Sequence, residues 1–153
     1  MNEDAVSNSS CLIALERIGR LDLLSKSFTS IMIPPAVENE FGGKKEWLIV
    51  RPVQNSALVK SLKTQVDDGE AEAIALAMEI SGVSIILDDK KARRIAAQLG
   101  LKVIGTVGLL LRAKKKGVVA EIKPILNDLQ EVNFRVDDIL FKALRLAKEE
   151  YIN

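Results

Sequence analysis

The sequence predicts an α/β fold, a three-layer α/β/α arrangement around a central parallel sheet. Three observations carry that prediction. Short runs that are apolar throughout, "VSIIL" at 83–87 being the clearest, alternate along the chain with runs of helical period. Strands buried on both faces belong to parallel sheets covered by helices, whereas a half-exposed strand would alternate apolar with polar residues. Hydrophobic residues make up 48% of the chain and aromatics only 4%, so the core is aliphatic, built from Leu, Ile, Val and Ala. A length of 153 residues suits one domain, 1–153, with one core.

The elements follow in order. "DAVSN" (4–8) reads as a strand, and 10–27 as one or two helices broken near Gly19. "SIMI" (30–33) is the second strand. "PPAVENEF" (34–41) starts a helix on proline, whose missing N–H costs nothing there. After the turn "GGKKEW" (42–47) comes a strand, "LIVRPV" (48–53), then helices over 55–65 and from Gly69 to Ser81. "VSIIL" is followed by a helix at 90–100 that glycine ends. "KVIGT" (102–106) is the last core strand. Beyond it the chain reads as helical to its end, apart from a break near "NFRV".

Charge and reactive side chains narrow the chemistry. Lys+Arg 22 against Asp+Glu 21 gives a net charge of +1, which argues for no particular partner. A single cysteine, Cys11, excludes an internal disulfide and suits a reducing cytoplasm. There is no signal-peptide pattern and no apolar run near the ~20 residues of a membrane span, so a soluble cytoplasmic protein is expected. With no histidine and one cysteine, imidazole and thiolate zinc sites cannot be built, nor can a triad with a histidine base. Carboxylates, Lys, Ser or a metal held by oxygen remain.

In such a sheet, ligands bind beyond the carboxyl ends of the strands, near a topological switch point. Polar residues collect there. Asn8 ends the first strand, Asp88 and Asp89 the fourth, and Thr106 the fifth. Two helices add Glu38 and Glu40, and Glu70 and Glu72. Glu70 shares a helical stripe with Ala73, Ile74, Ala77 and Ser81; Glu72 shares one with Ala75, Leu76 and Glu79. A helix this apolar lies on the sheet, which turns Glu70 toward the strand ends and leaves Glu72 at the rim. Helix capping explains Asn8, and dipole interactions explain first-turn acids. Neither requires separate segments to bring acids to one edge.

Four pieces, "VSNSSCLIAL", "IPPAVENEF", "GEAEAIALA" and "IILDDKKARRIA", occur in this order. Together they resemble the PIN domain, a family of metal-dependent nucleases, in the branch related to VapC toxins. "GTVGLLLRAKKKG" near the end also fits that branch, and the resemblance spans nearly the whole chain. It implies a parallel sheet whose carboxyl edge gathers acids, binds Mg²⁺ or Mn²⁺ and cuts RNA. Carried over residue by residue, it puts Asn8 at the first acidic position, Glu40 at the second, Glu70 at the third and Asp88 at the fourth. Asp89 is the alternative at the fourth position and Glu72 at the third. Asn8 departs from the usual Asp: an amide oxygen can ligate a divalent ion but adds no charge. Activity weakened or specialised by that change is the expectation.

The chemistry is coherent on its own terms. Phosphodiester hydrolysis needs charge neutralisation and a hydroxide nucleophile, and divalent ions held by carboxylates provide both. Mg²⁺ and Mn²⁺ prefer oxygen ligands. Ser9, Lys90, Arg93 and Arg94 are the candidates for contacting substrate, with Lys91 in the same basic run and Arg93 or Arg94 favoured for a phosphate. The leading expectation is an endoribonuclease, the toxin of a toxin–antitoxin pair with a small antitoxin protein as partner. The alternatives are a weakened PIN-like module that binds RNA or a partner, and a receiver-like phosphotransfer domain, which is disfavoured because it would need an acidic phosphoacceptor on a strand end and a lysine after a later strand. An apolar stripe of Ile139, Leu140, Ala143, Leu144 and Ala147 either packs on the protein's own core or serves self-association, and a homo-oligomer, a dimer, is expected.

Overall fold

Five short apolar runs become adjacent strands of one all-parallel sheet. In the computed structural model, which describes residues 3–134 and 140–148, these are β1 (Asp4–Ser7), β2 (Ser30–Ile33), β3 (Leu48–Val50), β4 (Ser84–Ile86) and β5 (Lys102–Ile104), in the order β3-β2-β1-β4-β5. The central β1 pairs with β2 on one side and β4 on the other, with Val6 opposite both Met32 and Ile85. The chain therefore winds outward from β1 to β3 and then returns across β1 to add β4 and β5. The reversal lies between β1 and β4, which is where an open parallel sheet offers its crevice.

Among the described residues the helices are α1 (Ser9–Arg17), α2 (Asp22–Ser27), α3 (Pro35–Phe41), α4 (Ser56–Leu62), α5 (Asp68–Glu79), α6 (Lys90–Gln98), α7 (Thr106–Lys115), α8 (Lys123–Glu131) and α9 (Leu140–Leu146). Helix α5 packs on β1 and β4 with α3 and α4 beside it; α2 lies on β2 and against α7, which also meets β5 and α9. Helices thus cover the sheet in a three-layer α/β/α architecture. The core is aliphatic as expected: Leu12, Leu15, Ile33, Ile74, Ile85, Ile86 and Leu109 are among its fully buried side chains. No helix of the described residues is long and apolar enough to cross a membrane.

Several boundaries differ from the sequence reading, each for a local reason. Strand β3 stops at Val50, although the Arg51 N–H still reaches Ile33 O, because Pro52 has no N–H to continue the ladder. Asn8, Gly105 and Thr106 leave their strands to begin helices. Gly19, in the left-handed region at φ 71°, separates α1 from α2 where the break was expected. The expected unbroken helix after β5 is interrupted: Gly117 (φ 78°) closes α7, and Pro124 sits in the first turn of α8. The apolar C-terminal stripe turns inward, with Ala143, Leu144 and Ala147 buried within this chain. These three residues of the stripe belong to the protein's own core; Ile139 and the side chain of Leu140 lie outside what the structure describes.

Candidate active site

Asn8 stands at the switch point and caps a helix. Its backbone is extended (φ −82°, ψ 173°), its own N–H donates to Ile86 O of β4 at 3.2 Å, and its Oδ1 accepts the Cys11 N–H at 3.1 Å. That bond satisfies one of the free N–H groups at the start of α1. The residue is only 4% exposed.

One strand over, Asp88 leaves β4 and is held across the edge by the start of α7. Its Oδ1 accepts the Thr106 N–H at 2.8 Å and its Oδ2 accepts the Thr106 hydroxyl at 2.7 Å. Burial pushes its carboxyl above the usual range, opposed by the two Thr106 bonds and the charge of Arg93. Gly105 makes this approach possible. A Cβ there would stand 2.9 Å from Arg93 Nη1 and 3.2 Å from Asp88 Oδ1. Cys11 is fully buried nearby, and burial drives its thiol far up, so it is inert as a nucleophile.

The other acids approach from α3, α5 and α6. Glu40 Oε1 accepts the Ser9 hydroxyl at 3.0 Å and lies directly over Gly69, filling the place a side chain would take. Glu70 and Asp67 form a reciprocal capping box: Asp67 Oδ1 accepts the Glu70 N–H at 2.8 Å, and Glu70 Oε1 accepts the Asp67 N–H at 3.3 Å. Asp89 caps α6 through the Ala92 N–H at 2.9 Å. Glu70 is pushed up to about 7 by burial first and by Asp67 next, with Asp89 and Glu40 adding to the repulsion. Acids from α3, α5 and α6 thus share one negative field.

They do not form a finished cage. Among the described residues no three acidic, cysteine or histidine side chains stand close enough together to hold one metal ion. Each carboxylate is instead turned to a protein donor: Asp88 to Thr106, Glu40 to Ser9, Glu70 to Asp67 and Asp89 to Ala92.

Glu72 was expected at the rim. It is half-buried, and its Oε1 accepts the Ala36 N–H at 3.0 Å, capping the N-terminus of α3 from the neighbouring helix. The apolar residues of both stripes of α5 are buried, because this helix packs against α3 and α4 as well as the sheet. Glu72→Ala should therefore lower stability by about 1 kcal/mol, about 2–4 °C in melting temperature. Glu72→Gln, which keeps the acceptor, should not. Thermal melting of the two variants checks this.

Of the basic run, Lys90, Lys91, Arg93 and Arg94 are all exposed, and Arg93 alone among them bears on the charge of Asp88.

The chain that builds this edge is matched by a family model described as a PIN domain over residues 4–149. The chain belongs to the PIN domain family. PIN domains are generally nucleases, and PIN-domain nucleases typically use divalent metal ions. No curated protein matches the chain. Within this PIN domain three residues act as positioning residues to which the sequence reading gave no such role, although it placed Thr106 at a strand end. Thr106 fixes Asp88, Gly69 seats Glu40, and Asp67 orients Glu70. The Asp67-x-x-Glu70 spacing is itself a capping-box signal. Gly69 and the reach of Thr106 to Asp88 are tertiary facts with no local signature.

Glu70 makes stability depend on pH. Its folded value of about 7 lies above the ordinary 4.5, so the unfolded chain releases the proton first as pH rises. The contribution of Glu70 to stability is full below about 4.5, falls through the window to about 7, and is level above it. Glu70→Gln, which keeps the acceptor for the Asp67 N–H, should melt higher than the parent near pH 8 in chelator. Near pH 4 the two should melt alike. Melting scans across that range check this.

Proposed function

We propose that this PIN domain is a divalent-metal-dependent endoribonuclease that hydrolyses RNA phosphodiester bonds. The observation that supports it most is geometric: Glu40, Glu70, Asp88 and Asp89, from separate segments, stand around the β1/β4 reversal, with Asp67, Asp89 and Glu40 adding repulsion at the half-buried Glu70. Carboxyls crowded in this way gain by exchanging repulsion for a common cation, and every donor at the edge is oxygen, which suits Mg²⁺ or Mn²⁺. Asn8, Glu40, Glu70 and Asp88 would hold the ion, with Asp89 beside them. When bound it supplies a water of lowered pKa and neutralises charge on the phosphate.

The chain's own residues do the rest. Thr106 keeps Asp88 in place against β5, and Ser9 keeps Glu40 over Gly69. A carboxyl with a value near 7 exchanges its proton at neutral pH, so Glu70 can give one up as a cation arrives. Arg93, exposed beside Asp88, is placed to meet a phosphate, with Lys90 and Arg94 following on the same helix.

A second reading is favoured by one observation: Asn8 brings no charge, and its oxygen already serves Cys11. On that reading the fold binds RNA or a partner with weakened hydrolysis. Within the nuclease reading the chain is a toxin neutralised by a small antitoxin protein and acting as a homo-oligomer. The oligomer rests no longer on the C-terminal stripe but on edge strand β3, where Ile49 and Val50 are exposed. Incubation of the pure protein with single-stranded and structured RNAs tests the proposal. Internal cleavage with Mn²⁺ or Mg²⁺ and none in chelator is expected. Binding without cleavage would favour the second reading, and cleavage undiminished by chelator would refute metal dependence.

A further inference from the structure

Next to Asp88 lies a pocket of 280 Å³ that neither the acid edge nor its metal accounts for. One wall is Ile104 and Val107, from β5 and the first turn of α7; the other is Ala143 and Leu146 of α9. Asp88, Arg93 and Lys142 line it as well. Its size is just below the roughly 300–1,000 Å³ of pockets for drug-sized ligands, which leaves room for one flat ring system and not for a peptide helix. The pocket opens onto the residues proposed to meet the scissile phosphate. Its lining combines apolar side chains with two cations, Arg93 and Lys142, so it complements a flat apolar body attached to an anionic chain.

We infer that this pocket receives one unpaired base of the RNA, next to the phosphate being cut. The inference deepens the nuclease reading and rests on it for the identity of the substrate. Sequence-specific RNA recognition works on single-stranded bases that are splayed out and packed between side chains. Here the packing faces are aliphatic, in keeping with a chain that is 4% aromatic. Arg93 and Lys142 are donors for the base's keto groups or for the adjoining phosphate, and Asp88 is an acceptor for an exocyclic amine. The protein thereby selects which base sits beside the cleavage point.

Gly108 offers a clean test. It lies in α7 and lines the pocket, and a Cβ added there would meet only Ile104 Cβ at 3.6 Å, an ordinary contact. Gly108→Leu therefore fills the pocket while improving helix propensity. Leu146 is 60% exposed, so Leu146→Glu alters the opposite wall without disturbing the core. The four nucleoside 5′-monophosphates and ribose 5-phosphate are titrated into the full chain in chelator, with binding followed by calorimetry or NMR. At least one nucleotide should bind about tenfold or more tighter than the base-free sugar phosphate, the scale of one packed base. Both variants should lose that margin while melting no lower than the parent by more than a few degrees. Ribose 5-phosphate binding as well as every nucleotide, or folded variants binding nucleotides unchanged, would overturn the inference. Because no metal or hydrolysis is involved, nucleotide binding without RNA cleavage would remove the nuclease reading and leave the pocket. Metal-dependent cleavage with no base margin would do the reverse.

Discussion

Asp88→Asn should reduce metal-dependent RNA cleavage by at least about 100-fold, more than loss of an outer-shell partner of a metal costs, while the protein keeps its fold. The geometry makes this substitution informative. Asn can still accept the Thr106 N–H on Oδ1, and its amide can donate to the Thr106 hydroxyl in place of accepting from it. No buried polar group loses its partner. The charge removed is one that burial already disfavours, so melting temperature in chelator should hold or rise. A purely structural Asp88 would show the opposite pattern, with cleavage intact and stability lost. Cleavage rates and melting curves on the same preparation separate the two.

Asn8→Asp should move stability in opposite directions with and without metal. A cap alone predicts no change, since Asn and Asp cap helices about equally and either can accept the Cys11 N–H. The position is 4% exposed and one strand from Asp88, so in chelator an added carboxylate is desolvated and repelled. A cost of about 1–2 kcal/mol, one pKa unit being about 1.4, lowers melting by about 2–8 °C. At a Mn²⁺ concentration about 100 times the variant's Kd the ion returns about 2.7 kcal/mol to the variant, against about 0.4 to a parent that binds about 100-fold more weakly, so the variant should then melt above the parent and cleave faster at limiting metal. Equal melting under both conditions, with cleavage unchanged, would leave Asn8 a helix cap only.

Much of the architecture was legible because parallel strands buried on both faces write themselves as apolar runs, and glycines and prolines punctuate the helices between them. The strand-end positions of Asn8 and Asp88 followed directly from that pattern. What was not legible lies in how side chains choose partners across the fold. Asn8 was posed as either cap or site residue, and it is a cap at the site's edge. Glu72 looked like a rim residue because period alone cannot show that α3 brings a bare N-terminus to it. Glu40 could be placed on its helix, but its position over Gly69 depends on the packing of α3 on α5. The acids were expected as a cluster and are found each bonded to a nearby donor, because helix starts and hydroxyls beside the strand ends lie within reach of each carboxylate, which period and spacing cannot show.

The central claim is that those acids come together on a divalent ion. Calorimetric titration of Mn²⁺ into the wild-type chain, Glu70→Gln and Glu72→Gln at about pH 6 and pH 8 tests it most directly. Saturable binding is expected in the wild type, tighter at the higher pH and accompanied by proton release as Glu70 ionises. Glu70→Gln should weaken it about 10-fold or more and remove that proton release, while Glu72→Gln should bind as the wild type does. Equal affinity in all three proteins, or no saturable binding at either pH, would contradict the account.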